Sequence, residues 1–256
     1  MSRTFRCSPR GGSNPREQDR RRLTRLLRRL ILVLLALALA SAVPVGLLRW
    51  WNPPTSAFML SAKLDAARAR DRSYRTRYAW VDLEHISPDA ALAVIASEDQ
   101  DFPFHAGFDF RSIREAVRAS ERGKRLRGAS TLTQQVAKNL FLWSGRSFVR
   151  KALEAWFTIL IERLWPKERI LEVYLNIVEF GRGLYGVQAA SEAYFHEPAA
   201  RLTREEAALL AAVLPNPHRL HVERPSLYVL ARRDWILGQM RQLGGSAYLR
   251  TIEPAH

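Results

Sequence analysis

Residues Leu30 to Leu48 read LILVLLALALASAVPVGLL, nineteen residues without a charge. As a helix this run is about 28 Å long, close to the hydrocarbon thickness of a bilayer. It is apolar on every side and bracketed by Arg28, Arg29 and Arg49, a pattern that disfavours a buried core helix. Trp50 and Trp51 follow, and their amphipathic rings suit a membrane–water interface. The run predicts one transmembrane anchor over residues 30–49, and it constrains everything on either side.

The charge follows the same division. Residues 1–29 carry ten Arg against Glu17 and Asp19, a net of +8 of the whole chain's +15. Arginines beside the span hold the tail in the cytoplasm, which sends the remainder of the chain to the outer side. The tail is rich in Arg, Ser, Gly and Pro and reads as disordered. A second reading of the apolar run stays open. Ala40-Ser41-Ala42 resembles a signal-peptidase site, with Pro44 and Gly46 marking the end of a shorter apolar region. The long basic tail and the length of the run argue against cleavage, and both readings export residues 50–256. Cys7, the only cysteine, falls in the tail, so the exported part holds together without a disulfide. The basic balance also points to an anionic partner: nucleic acid, anionic lipid or a phosphorylated substrate.

Beyond a linker at residues 52–57, the pattern is mainly α at a 3.6-residue period, with no convincing alternating strand. Ser87-Pro88-Asp89 marks a helix start that runs to Glu98-Asp99. Further helices are predicted at residues 130–142, 147–165, 167–178, 187–195 and 203–214. The last opens with a capping box, Thr203-x-x-Glu206.

Three groups could carry chemistry. On a wheel of residues 130–142, Ser130, Gln134 and Lys138 form one stripe and Thr131, Gln135 and Asn139 the next, opposite Leu132, Val136 and Leu140. Hydroxyls and amides around one Lys, with no acid, suit a ligand rich in hydroxyls and phosphate oxygens, although a satisfied polar face reads the same way. Glu98 and Asp99 stand beside Phe102, Phe104 and His105, where partial desolvation would raise a carboxyl towards a general base's range. The bland alternatives are solvated loop charges and a structural histidine. Arg146, Arg150, Lys151 and Glu154 form a third group, readable as a helical ion pair or as a pyrophosphate clamp oriented by Glu154.

These residues carry a resemblance. Glu98-Asp99-x-x-Phe102-x-x-His105-x-Gly107-x-Asp109 resembles the first signature of the peptidoglycan glycosyltransferases, the transglycosylase family found in penicillin-binding proteins. Gly128-x-Ser130-Thr131-x-Thr133-Gln134-Gln135-x-x-Lys138-Asn139-Leu140 resembles the second, and Arg150-Lys151-x-x-Glu154 the third. Lys167-x-x-Ile170-Leu171-Glu172-x-Tyr174-Leu175-Asn176 resembles the fourth, and Gly183-x-x-Gly186-x-x-Ala189-Ala190-x-x-Tyr194-Phe195 the fifth. The five stand in the family's order. The stretch Trp143-Ser144-Gly145-Arg146, and an end at residue 256 that leaves no room for a transpeptidase domain, resemble the monofunctional biosynthetic branch.

The resemblance implies a lysozyme-like glycosyltransferase domain at residues 50–256, anchored in a bacterial inner membrane. It implies lipid II as substrate, with the growing strand as donor. Glu98 and Glu154 are then the catalytic carboxylates. Lys138, Arg146, Lys151, Ser130, Thr131, Gln134, Gln135 and Asn139 bind substrate and pyrophosphate. Asp99, Phe102, His105, Asp109, Glu172 and Asn176 support them. No cofactor is required, a divalent cation (Mg or Mn) is allowed, and no metal ligand is assigned. Expected partners are lipid II, the nascent glycan strand, the membrane, and other cell-wall synthases or division proteins. By the same resemblance, the phosphoglycolipid moenomycin occupies the donor site. Rival readings are a lytic enzyme or a non-catalytic envelope scaffold on the same fold, and a nucleic-acid-binding protein. The last is disfavoured by an exported domain that carries no nucleic-acid motif.

Overall fold

A computed structural model describes residues 15–121, 130–145 and 147–252. Three expectations lie outside those residues: Arg146, the signature glycine Gly128, and the first fourteen residues of the tail with Cys7. The chain divides into two compact units, Met1–Pro44 and Val45–His256.

In the first unit the tail reading needs correction. Helix α1 spans Pro15–Leu47, so helix begins within the basic segment and runs on into the apolar one. A proline at the first helical position and the straight-chain Glu, Gln and Arg that follow favour this over disorder. Leu23–Leu47 is long and apolar enough to cross a membrane, with mean hydropathy 2.7 in its most apolar window, and most of its side chains are exposed.

The second unit is mainly helical. After α2 (Ala57–Arg68) and β1 (Arg77–Tyr78) come α3 (Pro88–Glu98), α4 (Phe110–Glu121), α5 (Leu132–Phe141), α6 (Phe148–Leu164) and α7 (Lys167–Ile177). Strands β2 (Glu179–Gly181) and β3 (Leu184–Tyr185), then α8 (Val187–Tyr194), α9 (Arg204–Val213) and α10 (Leu227–Gln242), complete it. Helix α3 is the centre. Every residue from Ala90 to Ala96 is buried, and α9 and α10 pack on it. Small residues permit the approach: Ala90, Ala91, Ala93 and Ala96 on one helix and Ala207, Ala208, Ala211 and Ala212 on the other are all buried. Helix α5 packs between α6 and α7. The end of α3 and the polar face of α5 are thereby brought together.

The predicted helix starts hold, with differences in how they are made. Thr203 and Glu206 form the expected capping box. Ser87 occupies the cap position of α3, but its hydroxyl donates to Leu202 O (2.8 Å) and ties α3 to the segment before α9. The sequence reading missed α2, α4 and α10, and it missed a three-stranded sheet of order β1-β3-β2, in which β1 and β3 are parallel and β2 and β3 antiparallel. Strands of two or three residues are too short to display a period of two. Gly186 lies at φ +85° before α8, and a Cβ there would stand 2.6 Å from Asn176 O. The signature glycine is needed because backbone approaches backbone.

Candidate active site

Glu98 is the last residue of α3. Its side chain is 16% exposed. Oε2 accepts from Gln135 Nε2 of α5 (2.9 Å). The amide is itself oriented, because Gln135 Oε1 accepts from the Tyr174 hydroxyl of α7 (3.2 Å). Burial is the main influence on the Glu98 carboxyl and pushes it above its ordinary range. The Gln135 bond and the charges of Arg232 and Lys138 oppose that push, and Asp99 adds to it. A carboxyl so placed is poised to take up a proton nearer neutrality.

Lys138 stands one helical turn beyond Gln135 on α5. Burial pulls its ammonium below the usual lysine range, and Glu154 and Glu98 act in the other direction. Its Nζ lies 5.5 Å from the centroid of the Phe58 ring of α2. The carboxylates nearby are taken: Glu98 faces Arg232 (3.5 Å), and Glu154 faces Arg150 and Lys151. Lys138 is thus a half-buried cation held within the field of two carboxylates and bonded to neither, an arrangement suited to an incoming anion.

Glu154 is buried on α6. Oε2 accepts from Arg150 Nη1 (2.7 Å), and Oε1 accepts from Lys151 Nζ. The ion-pair reading of the third group holds: Glu154 fixes two cations, and Lys151 keeps half its side chain in solvent. Arg150 Nε is buried without a hydrogen-bond partner among the described residues.

The polar face of α5 divides. Gln135 and Lys138 face Glu98 and its surroundings. Thr131 and Gln134 form a capping box that the wheel did not reveal: Thr131 Oγ1 accepts from Gln134 N, and Gln134 Oε1 accepts from Thr131 N. The Thr131 hydroxyl also donates to Gly107 O (2.7 Å). Both side chains are buried and spent on the helix start, which corrects their assignment to a ligand-facing stripe. Ser130 is exposed and precedes the helix. Asn139 is buried.

The supporting residues form the mount. Asp99 is buried, and Oδ2 accepts from Leu132 N at the start of α5 (2.8 Å). His105 Nε2 lies 2.9 Å from Asp99 Oδ1, while His105 Nδ1 accepts from Gly107 N (3.1 Å). That assigns the proton to Nε2 and makes His105 a structural donor. Phe102 is fully buried under Lys167, whose Nζ lies 4.6 Å from the ring centroid. Asp109 Oδ1 accepts from Arg111 N and Ser112 N and caps α4. Burial raises its carboxyl, but the bonds from Ser112 and Arg111 outweigh that and hold it low. Glu172 accepts from Leu83 N (3.0 Å) and from Arg169 Nη1 (2.6 Å). Asn176 exchanges both hydrogen bonds with the backbone of Val81. These are framework, distant in role from the reacting groups.

Three contributors escaped the sequence reading. Tyr174 stood within a quoted signature, and a buried tyrosine implies a partner for its hydroxyl. Phe58 and Arg232 carried no signal, since only the fold brings α2 and α10 here.

The donor set does not fit a protein-held divalent cation. Both oxygens of Glu154 are bonded to cations. Among the described residues no three His, Cys, Asp or Glu side chains converge. No step is assigned to one.

Comparison with known proteins agrees with the architecture. The Transglycosylase family model matches residues 65–241. A biosynthetic peptidoglycan transglycosylase of Xylella fastidiosa (strain 9a5c) is 54% identical over 222 residues, 87% of this chain and 91% of that protein. One of Stutzerimonas stutzeri (strain A1501) is 54% identical over 91% of this chain and 96% of its own length. One of Xanthomonas campestris pv. campestris (strain B100) is 50% identical over 90% and 94%. With a mainly helical, lysozyme-like domain and all five signatures in order, the chain belongs to the transglycosylase family.

Proposed function

We propose that this protein is a peptidoglycan glycosyltransferase that polymerises glycan strands from lipid II at the outer face of a bacterial inner membrane. The growing undecaprenyl-pyrophosphate-linked strand is the donor, and the GlcNAc 4-hydroxyl of lipid II is the acceptor. Glu98 removes the hydroxyl proton as the oxygen attacks the donor's anomeric carbon. The bond to pyrophosphate breaks with inversion, giving a β-1,4 linkage and undecaprenyl pyrophosphate. The leaving group is a weak base that needs charge neutralisation and no proton. Lys138 supplies it, together with Arg146 and Lys151, while Glu154 orients the cations of α6. The remaining framework residues keep α3 and α5 in register.

One observation carries this reading. A sheltered carboxylate, pushed up by burial, stands at the end of a buried helix, across from a lysine that is bonded to no carboxylate among the described residues, with a cationic shelf held by Glu154 beyond. The anchor suits the chemistry, since a lipid-borne substrate restricts the search to the membrane surface. An Arg-rich tail on the cytoplasmic side of α1 sets the orientation. Other cell-wall synthases or division proteins are its expected partners.

The test is full-length protein reconstituted in membranes with labelled lipid II, and a gel resolving polymer. Wild type should yield a ladder of strands and Glu98→Gln none. Near-normal strand synthesis by the variant would remove Glu98 as base. Release of soluble muropeptides from purified sacculi would favour the lytic alternative.

A further inference from the structure

Beside Glu98 the fold places a cation that no signature contains. Arg232 lies on α10, 134 positions downstream, and its Nη2 is 3.5 Å from Glu98 Oε1. Its side chain is 22% exposed, so the pair is sheltered but reachable. Helix α10 is fixed against α3 and α9 through buried Val229, Ile236 and Met240. The Arg232 Cζ lies 6.0 Å from the Trp235 ring centroid. Its Nε is buried without a hydrogen-bond partner among the described residues. A guanidinium held by packing, with one long hydrogen bond to show for it, is there for its charge more than for bonding.

The groups facing Glu98 come from four elements. Asp99 at the end of α3 opposes ionisation. Lys138 on α5 and Arg232 on α10 favour it, and Gln135 on α5 donates to it. Tyr174 on α7 is neutral, its phenol kept protonated by burial and by the charges of Glu98 and Asp99. When a pyrophosphate binds Lys138, that cation's field is neutralised by the substrate. Arg232, on α10, is then the remaining cation of the two that favour ionisation of Glu98.

We propose that Arg232 is a positioning residue of the transfer reaction: its guanidinium steadies Glu98 Oε1 while Gln135 holds Oε2, and it supplies the positive charge that keeps the base ionised once the donor has claimed Lys138. This rests on Glu98 being the base. The two ideas separate experimentally.

Polymerisation by full-length protein in membranes is followed from about pH 5 to about pH 9 for wild type, Arg232→Gln and Arg232→Lys. In R232Q the acid limb of kcat/KM should move to higher pH by about one unit, a loss of about tenfold on that limb. Most of the rate at high pH should remain. R232K, which keeps the charge, should return the limb most of the way. In parallel, the Glu98 carboxyl is titrated by carbon-13 NMR of glutamate-labelled protein, assigned by its absence in Glu98→Gln, and its midpoint should rise in R232Q. A uniform loss of rate at every pH with an unmoved limb and an unmoved titration would reduce Arg232 to a structural role and overturn the proposal. If Glu98→Gln still polymerises, the base assignment fails, while the titration still reports whether Arg232 governs that carboxyl. If R232Q does not fold, Arg232→Met takes its place: a limb and a Glu98 midpoint that both move to higher pH support the charge role, and an unmoved limb with an unmoved titration overturns it.

Discussion

Asp99→Asn is the sharpest probe of how the site is mounted. The native carboxylate accepts from Leu132 N at 2.8 Å through Oδ2 and meets His105 Nε2 at 2.9 Å through Oδ1, with its own side chain 3% exposed. Asparagine has one acceptor oxygen. If that oxygen keeps the Leu132 amide, its NH2 group faces the His105 N–H, donor against donor. His105 cannot escape by switching tautomer without losing its bond from Gly107 N. One buried donor is left unsatisfied and two charge-assisted bonds are weakened, a cost of about 2–4 kcal/mol. For a domain of this size that lowers Tm by about 5–12 °C. Thermal unfolding of the detergent-solubilised full-length protein reads it. A second readout is independent. The Asp99 charge pushes the Glu98 carboxyl up, so removing it should move the acid limb of polymerisation to lower pH, opposite to R232Q. A Tm equal to that of wild type would refute the view of Asp99 as the bracket between α3 and α5. An unmoved limb would refute the electrostatic half of the reasoning.

Other expectations follow from the same geometry. Glu98→Gln should make the protein more stable at neutral pH while abolishing synthesis. A carboxyl whose native pKa stands above its unfolded value binds more protons in the native state between the two, so stability falls as pH rises through that window; the gain should shrink as pH is lowered through the native value, read by thermal unfolding across pH. Lys138→Ala should lower polymerisation and weaken inhibition by moenomycin, and unchanged inhibition would take Lys138 out of the phosphate clamp. Gly107→Ala should destabilise by about 2 kcal/mol or more, because φ is +84° and the new Cβ would stand 2.7 Å from Thr158 Cγ2 and 2.8 Å from Glu162 Cγ; a Tm equal to wild type would show that the loop can relax.

What the sequence made legible has a physical pattern. Helices that carry their own punctuation were readable: Pro166 ends α6 and caps α7, and Thr203 with Glu206 opens α9. Helix α10 was not, because its buried residues Val229, Ile236 and Met240 are spaced among four charged ones and give no amphipathic stripe. The site divided in the same way. Glu98, Gln135, Lys138 and Glu154 could be singled out because they sit within signatures whose chemistry can be argued residue by residue. Gln134 was misplaced because an amide three residues after a threonine serves a helix start as readily as a ligand. Arg232 was invisible, since its importance lies wholly in a neighbour supplied by a distant helix.

The ion pairs of α6 bear on which reaction a lysozyme-like domain can run. A glycosidase normally needs a second carboxyl that delivers a proton to an alcohol leaving group. Here the second carboxyl near the site, Glu154, has one oxygen bonded to Arg150 and the other to Lys151, and its side chain is 4% exposed. Both of its oxygens are thus engaged with cations inside the fold. Asp99, the residue after Glu98, is held by Leu132 N and His105. Glu98, whose side chain is 16% exposed against 4% for Glu154 and 3% for Asp99, is the carboxyl of this cluster open to a substrate, and a lone base opposite cations matches a leaving group that departs as an anion. The lytic rival requires one of these bonded carboxyls to be released first. Glu154→Gln should therefore abolish strand synthesis by loosening Arg150 and Lys151, measured as lost polymer on the lipid II gel. Retained polymer with Glu154 neutralised would mean that the shelf of cations holds its shape without the carboxylate, and the argument from α6 would fall.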